Sequence, residues 1–338
     1  MTTGIDGGGP RARGQRAQWT DLPARIVAAI EAAMGGRVVE VRSVASGFSP
    51  GVAATIATAS GERAFVKAVC GAPNPDAPRF HRREILVNRA LAADPALPLP
   101  RLRWSLDEGD DRDDRWVVLL FDALDGREPH QPWQEDELRR VIAALDVLAA
   151  RLTPSPVSAR EVGLASDWGI LRTNFWRLRD QPADRARLDP WTRRHLADLI
   201  ALSDGAPDAA SGETLLHADL RADNLILTDD RVCVVDWPHA RIGAAWLDPL
   251  FMAPSVAMQG GGDPDAFLMR CAAVQGVEPA RIDAALAAVA GFFTSEGMEP
   301  EPPGLPGLRA FQEAQGAVAR RWLATRMGWN SPPGLAAG

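Results

Sequence analysis

The apolar periodicity of this chain changes character once, and that change limits the folds open to it. Up to Phe121 apolar residues mostly fall into short β-prone runs, whereas beyond Gly126 they recur at helical spacing. Val38 to Ala45, Val52 to Ala59 and Arg63 to Val69 read as three consecutive antiparallel strands, with Ser60-Gly61 turning the last pair. Leu102 to Leu106 and Trp116 to Phe121 read as two more, around the acidic loop Asp107 to Asp114. Two helices interleave with them: Leu22 to Met34, ended by Gly35-Gly36, and Pro78 to Asp94, stopped by Pro95, Pro98 and Pro100. Helical patterns then cover Asp136 to Leu152, Trp191 to Leu202, Arg281 to Phe293 and Leu308 to Met327, broken by a β segment within Leu215 to Val235. Strands grouped ahead of helices predict an α+β chain with a β-rich lobe over 19–122 and a mainly helical lobe over 123–338. Residues 1–18, which carry Gly7-Gly8-Gly9-Pro10 and no apolar period, are expected to form a disordered tail outside the fold.

Charge and cysteine usage exclude several classes. A formal net charge of −7 with no offsetting basic run argues against a nucleic-acid partner. Cys70, Cys233 and Cys271 are far apart and form no CxxC pair, so neither a disulfide framework nor a zinc site is expected. The longest strongly apolar runs, Trp116 to Phe121 and Ala284 to Phe293, fall short of a membrane span, and the N-terminus has no apolar signal segment. The expectation is a cytoplasmic protein with no membrane partner; nothing in the sequence sets its oligomeric state.

Chemistry concentrates between Leu215 and Trp237. Two short apolar runs flank the polar turn Asp229-Asp230, and folding about that turn brings Asn224 close to Asp236. One amide oxygen and one carboxylate make a hard-oxygen site suited to Mg²⁺, which keeps waters and shares substrate phosphates. Asp219, five residues before Asn224 on the entering loop, is placed to act on a hydroxyl beside that site as a catalytic base or orienting group. Each residue alone has a plainer explanation, an Asp capping a turn or an Asn bonding locally. Together, at these spacings, they favour a catalytic site.

The pattern His217-x-Asp219-x4-Asn224, with Asp236 twelve residues later, resembles the catalytic loop and metal-binding Asp of the protein-kinase-like superfamily. Trp237-Pro238 follows in place of Phe-Gly, and Gly243…Asp248-Pro249-Leu250 comes next, which is similar to the aminoglycoside phosphotransferase family of small-molecule kinases. The resemblance implies a two-lobe kinase-like fold and use of ATP or GTP with Mg²⁺. It implies that Asn224 and Asp236 hold the metal, that Asp219 is catalytic, and that His217 and Asp248 brace the loop. It implies a phosphate-orienting lysine, for which Lys67 is the only candidate in the first two-thirds of the chain, and a partner glutamate on the next helix, Glu84. The competing readings are an edge-strand lysine and a solvated helix charge. By the same resemblance Ser46 and Gly47 belong to a phosphate-covering loop, Asp122 and Leu124 to a hinge holding the base, and Leu227 lies beneath it.

The acceptor is the open question. The resemblance implies a hydroxyl-bearing small molecule, an aminoglycoside-like or other antibiotic, with a metabolite kinase or a silent nucleotide-binding scaffold as alternatives. Residues 260–301 carry seven acids against Arg270 and Arg281, a surface that suits a cationic acceptor or simply faces solvent.

Overall fold

The computed structural model describes residues 16–44, 51–72, 74–109, 114–302 and 305–330. Ser46 and Gly47 lie outside the described residues. Helix α1 (Ala24–Met34) is followed by strands β1 (Val38–Ser43), β2 (Val52–Thr58) and β3 (Arg63–Cys70), helix α2 (Ala77–Leu91), then β4 (Leu102–Asp107) and β5 (Trp116–Asp122). The five strands form one antiparallel sheet in the order β1-β2-β3-β5-β4, which makes β3 the central strand. Gly35 ends α1 in the left-handed conformation (φ 69°), where a glycine carries no Cβ penalty.

β5 explains how the sheet is covered. Its residues alternate, so Trp116, Val118 and Leu120 pack with Ile26, Ile30 and Met34 of α1, while Val117, Leu119 and Phe121 pack with Ala77 and Ile85 of α2. A strand buried on both faces reads as one continuous apolar run, which is how Trp116 to Phe121 appears in the sequence. Ala17 and Trp19 also pack on the α1 face. The chain therefore enters the fold ahead of residue 19, a correction to the expected tail.

Beyond β5 the structure is mainly helical. The long elements are α3 (Glu135–Arg151), α7 (Pro190–Ser203), α9 (Leu247–Met258), α11 (Pro279–Gly297) and α12 (Leu308–Met327). The short ones are α4 (Ala159–Val162), α5 (Asn174–Asp180), α6 (Pro182–Arg187), α8 (Ala206–Ala209) and α10 (Pro264–Met269). The β segment resolves into two small sheets: β7 (Leu225–Leu227) pairs with β8 (Val232–Val234), and β6 (Thr214–Leu216) pairs with β9 (Arg241–Gly243). Strand β9 and helix α9 have no counterpart in the sequence reading. α9 carries Pro254 internally and is apolar on most of its faces, so it lacks the polar stripe that makes a helix periodic.

The connection after β5 pins the helical part to the cleft. Arg127 and Leu227 exchange backbone hydrogen bonds of 3.0 and 2.7 Å. A Cβ on the neighbouring Gly126 would stand 2.6 Å from the Leu227 carbonyl oxygen and 2.7 Å from Ile226 Cγ2. Gly126→Ala is expected to lower stability by about 1–3 kcal/mol, read as a fall in the urea midpoint. An unchanged midpoint would mean the connection yields freely.

Buried His81 on α2 gives a pH dependence. Burial, reinforced by nearby Lys67, lowers its pKa to about 4. The folded value is depressed, so stability is full above the unfolded value of about 6.5 and is lost as pH falls towards the folded value, by on the order of 3 kcal/mol. His81→Gln is expected to flatten that acid slope in denaturation series between about pH 7 and about pH 4. A slope identical to that of the parent protein would contradict the assignment.

Candidate active site

The loop from Leu216 to Asn224 is held from behind. Asp248, in the first turn of α9, accepts the backbone N–H groups of His217 and Ala218, each at 2.8 Å. Burial raises the Asp248 pKa, and His217 with these two donors pulls against it. His217 is fully buried. Its Nε2 donates to the Val235 carbonyl at 2.9 Å, and its Nδ1 accepts the Asp219 N–H at 3.2 Å. The ring thus ties the loop to the end of β8, and Trp237 packs edge-on against it at 4.8 Å. Among the described residues, the two non-glycine positions with positive φ are Ala218 (65°) and Asp236 (69°), one in each of the tied segments. Such conformations persist where surrounding contacts over-determine them.

Across the cleft, Lys67 Nζ lies 2.8 and 3.0 Å from the two carboxylate oxygens of Glu84 and 2.6 Å from Asp236 Oδ1. Lys67 stands on the central strand, so the edge-lysine reading fails; Glu84 is 1% exposed, so the solvated-charge reading fails as well. Burial disfavours the Lys67 ammonium, but Asp236 and Glu84 together hold its pKa above the ordinary lysine value. Burial likewise opposes ionisation of Asp236, and Lys67 outweighs it, holding that carboxyl well below the usual range. The three groups therefore form a charged triad spanning β3, α2 and the residue after Val235.

Within the loop itself stands a second ionic cluster. Arg221 donates to Asp223 through Nε and Nη2, both at 3.0 Å, and through Nη1 to Asp219. Asn224 donates its side-chain amide to the Asp219 carbonyl at 2.7 Å, which closes the loop and leaves the amide oxygen as an acceptor. Val235 donates to the Asn224 carbonyl at 3.0 Å, so Asn224 lies opposite Val235 and one step diagonal from Asp236. The sequence reading overlooked Arg221 and Asp223, although their spacing about Asp219 is visible in the chain.

Two cavities meet at this wall. One, of about 230 Å³, lies under the sheet and is lined by Lys67, Glu84, Asp122, Leu124, Asn224 and Asp236 among others. Ile226, not Leu227, faces it. β7 alternates, and Leu227 points into the helical core. Arg16 also lines this cavity. Burial lowers its pKa while Asp236 and Asp223 oppose that shift; no pattern in the sequence marks this residue. The other cavity, of about 380 Å³, lies beyond Asp219 and Asp236 and is walled largely by apolar side chains, six of them Phe or Trp. None of the seven acids of 260–301 lines it. Asp265 and Asp283 pair with Arg326, Glu296 with Arg309 and Glu299 with Arg177. The acids of 260–301, open to either a cationic acceptor or solvent on the sequence alone, are therefore not part of this cavity.

Residues 40–286 match the sequence pattern of the phosphotransferase enzyme family, APH. No curated protein matches the chain. Among solved structures, the aminoglycoside phosphotransferase of Alicyclobacillus acidocaldarius is 16% identical, with a TM-score of 0.56 over 91% of this chain and 96% of that one. An aminoglycoside phosphotransferase bound to GDP and kanamycin is 16% identical, with a TM-score of 0.58 over 90% and 99%. An amicoumacin kinase bound to AMP-PNP and Ca²⁺ is 11% identical, with a TM-score of 0.56 over 88% and 93%. Identities this low establish a shared fold, and the sequence pattern covers well over half of the 338 residues. The chain belongs to the phosphotransferase enzyme family and is a small-molecule phosphotransferase with the kinase-like fold.

Proposed function

We propose that this enzyme moves the γ-phosphoryl group of ATP or GTP onto a hydroxyl of a small molecule. The observation that carries the reading is the meeting of Lys67, Asn224, Asp236 and Asp219 at the wall between two cavities, with Asp236 lining both. The cavity under the sheet takes the nucleotide. Asp122 and Leu124 offer backbone groups to the base, Ile226 lies against its face, and Lys67, fixed by Glu84, orients phosphates. Asn224 and Asp236 supply one amide oxygen and one carboxylate, a hard donor set that fits Mg²⁺ with phosphates and water completing its shell. Bound there, Mg²⁺ would neutralise phosphate charge.

Asp219 works from the acceptor side. Arg221 and the loop closure through Asn224 hold its carboxylate in place. The acceptor oxygen forms a bond to the γ-phosphorus as the bond to the bridging oxygen breaks. That electron pair stays with the nucleoside diphosphate, and the hydroxyl proton passes to Asp219 and then to water. His217 and Asp248 serve by holding the loop. The kanamycin-bound and amicoumacin-kinase relatives support an antibiotic-type acceptor. A silent scaffold would have no need to retain all four of Asp219, Asn224, Asp236 and Lys67.

Two variants separate the roles. Asp219→Asn is expected to reduce kcat by about 10²–10⁴ with nucleotide affinity nearly unchanged. Asp236→Ala is expected to weaken Mg-nucleotide binding itself. ADP release across aminoglycosides, peptide antibiotics, macrolides, amino sugars and aromatic alcohols, with calorimetry of nucleotide binding, reads both. Full turnover by Asp219→Asn would remove it from the chemistry.

A further inference from the structure

We infer that the acceptor of this phosphotransferase is a hydroxyl carried on an apolar, ring-containing body with at most one positive charge, not a polycationic aminoglycoside. The inference rests on the phosphotransferase reading and concerns the cavity beyond Asp219. At about 380 Å³ that cavity has the size of a site for a drug-like molecule. Its rings come from five separate regions: Phe80 of α2, Trp168, Phe251 of α9, Phe292 and Phe293 of α11, and Phe311 of α12. Trp168 and Phe251 meet edge to face at 5.8 Å, and Phe292 and Phe293 lie tilted at 5.3 Å, so four of the six rings are paired with one another. Five of these rings, all but Phe311, are only half-buried, so contact with a ligand would remove further apolar surface from water.

The charges argue in the same direction. Among the described lining residues the only carboxylates are Asp219 and Asp236, and each already engages a cation, Arg221 and Lys67. An aminoglycoside brings several ammonium groups, and each one buried here without a carboxylate would lose its hydration with no compensation. An aromatic cage for a quaternary ammonium is equally ill served. Trp168 carries the Arg241 guanidinium 4.9 Å from its centroid, and Phe311 has Arg221 at 5.9 Å. His239, packed at 5.0 Å on Phe80, carries no negative charge in either protonation state and so offers a cation no counter-charge. Neutral polarity is available from Gln312 and Gln315 of α12, which suit carbonyl or hydroxyl groups on the ligand.

The test uses the full-length enzyme with Mg-ATP and two acceptor sets. One holds neutral and singly charged aromatic or alicyclic alcohols, with chloramphenicol as reference; the other holds kanamycin and hygromycin B. Stabilisation of the protein against heat by Mg-ATP is measured first. The expected result is ADP release dependent on members of the first set only. Its KM should not move with ionic strength and should rise at least about tenfold in Phe292→Ala, a half-exposed position whose truncation spares the core. Release dependent on kanamycin or hygromycin B, with a KM that climbs with salt, would overturn the inference. So would Mg-ATP stabilisation with no alcohol of the first set accepted; in that case the phosphotransferase reading survives. Absence of any effect of Mg-ATP, and of Mg-GTP measured in the same way, on stability would remove the reading beneath it as well.

Discussion

The ion triad of Lys67, Glu84 and Asp236 is the contact on which the rest of the site depends. A lysine on the central strand of a sheet, a glutamate 1% exposed on α2 and an aspartate in a left-handed turn would each be costly alone. Together they satisfy one another, and in doing so they fix the sheet, α2 and the end of the β7–β8 hairpin relative to one another. Buried ion pairs contribute little net stability over well-packed apolar groups, so their retention favours a functional explanation. The chain holds a single lysine among 37 basic residues, and it stands here.

The catalytic loop is arranged around the same hairpin. Asp248 and His217 hold its backbone from the helical side, and Asn224 closes it by bonding to the Asp219 carbonyl. Ala218 and Asp236 both adopt positive φ; the Ala218 N–H is held by Asp248, while Asp236 follows the His217-bonded Val235 carbonyl and meets Lys67 through its side chain. One wall serves two cavities: on the proposed reading the nucleotide side presents oxygens and cations, and the acceptor side presents rings. On the proposed reading, selectivity for the acceptor comes from the rings of α2, α9, α11 and α12 together with Trp168.

Much of this was legible in the sequence because it is local. Asp219, Asn224 and Asp236 lie within one loop and hairpin, and the alternation of β-prone runs with polar turns was enough to bring them together. Details that depend on one residue of register were not. Leu225 pairs with Val234, so Asn224 faces Val235 instead of Asp236, and Ile226 instead of Leu227 meets the nucleotide cavity. Contacts between distant segments were out of reach entirely. Arg16 enters the cleft from a stretch with no apolar period, and four of the seven acids of 260–301 are taken up by arginines on other elements, two of them by Arg326 of α12. The aromatic cavity draws on residues from Phe80 to Phe311, and no spacing in the chain announces such a set.

Because Lys67 is the only lysine, the central claim admits a direct measurement. An acyl-phosphate derivative of ATP transfers its acyl group to an amine held beside the nucleotide phosphates, and peptide mapping then identifies the amine. The account predicts acylation of the Lys67 peptide, suppressed by excess Mg-ATP and diminished in Glu84→Ala, where the ammonium loses its anchor. Acylation confined to the N-terminal amine, or labelling of Lys67 that Mg-ATP leaves untouched, would contradict it.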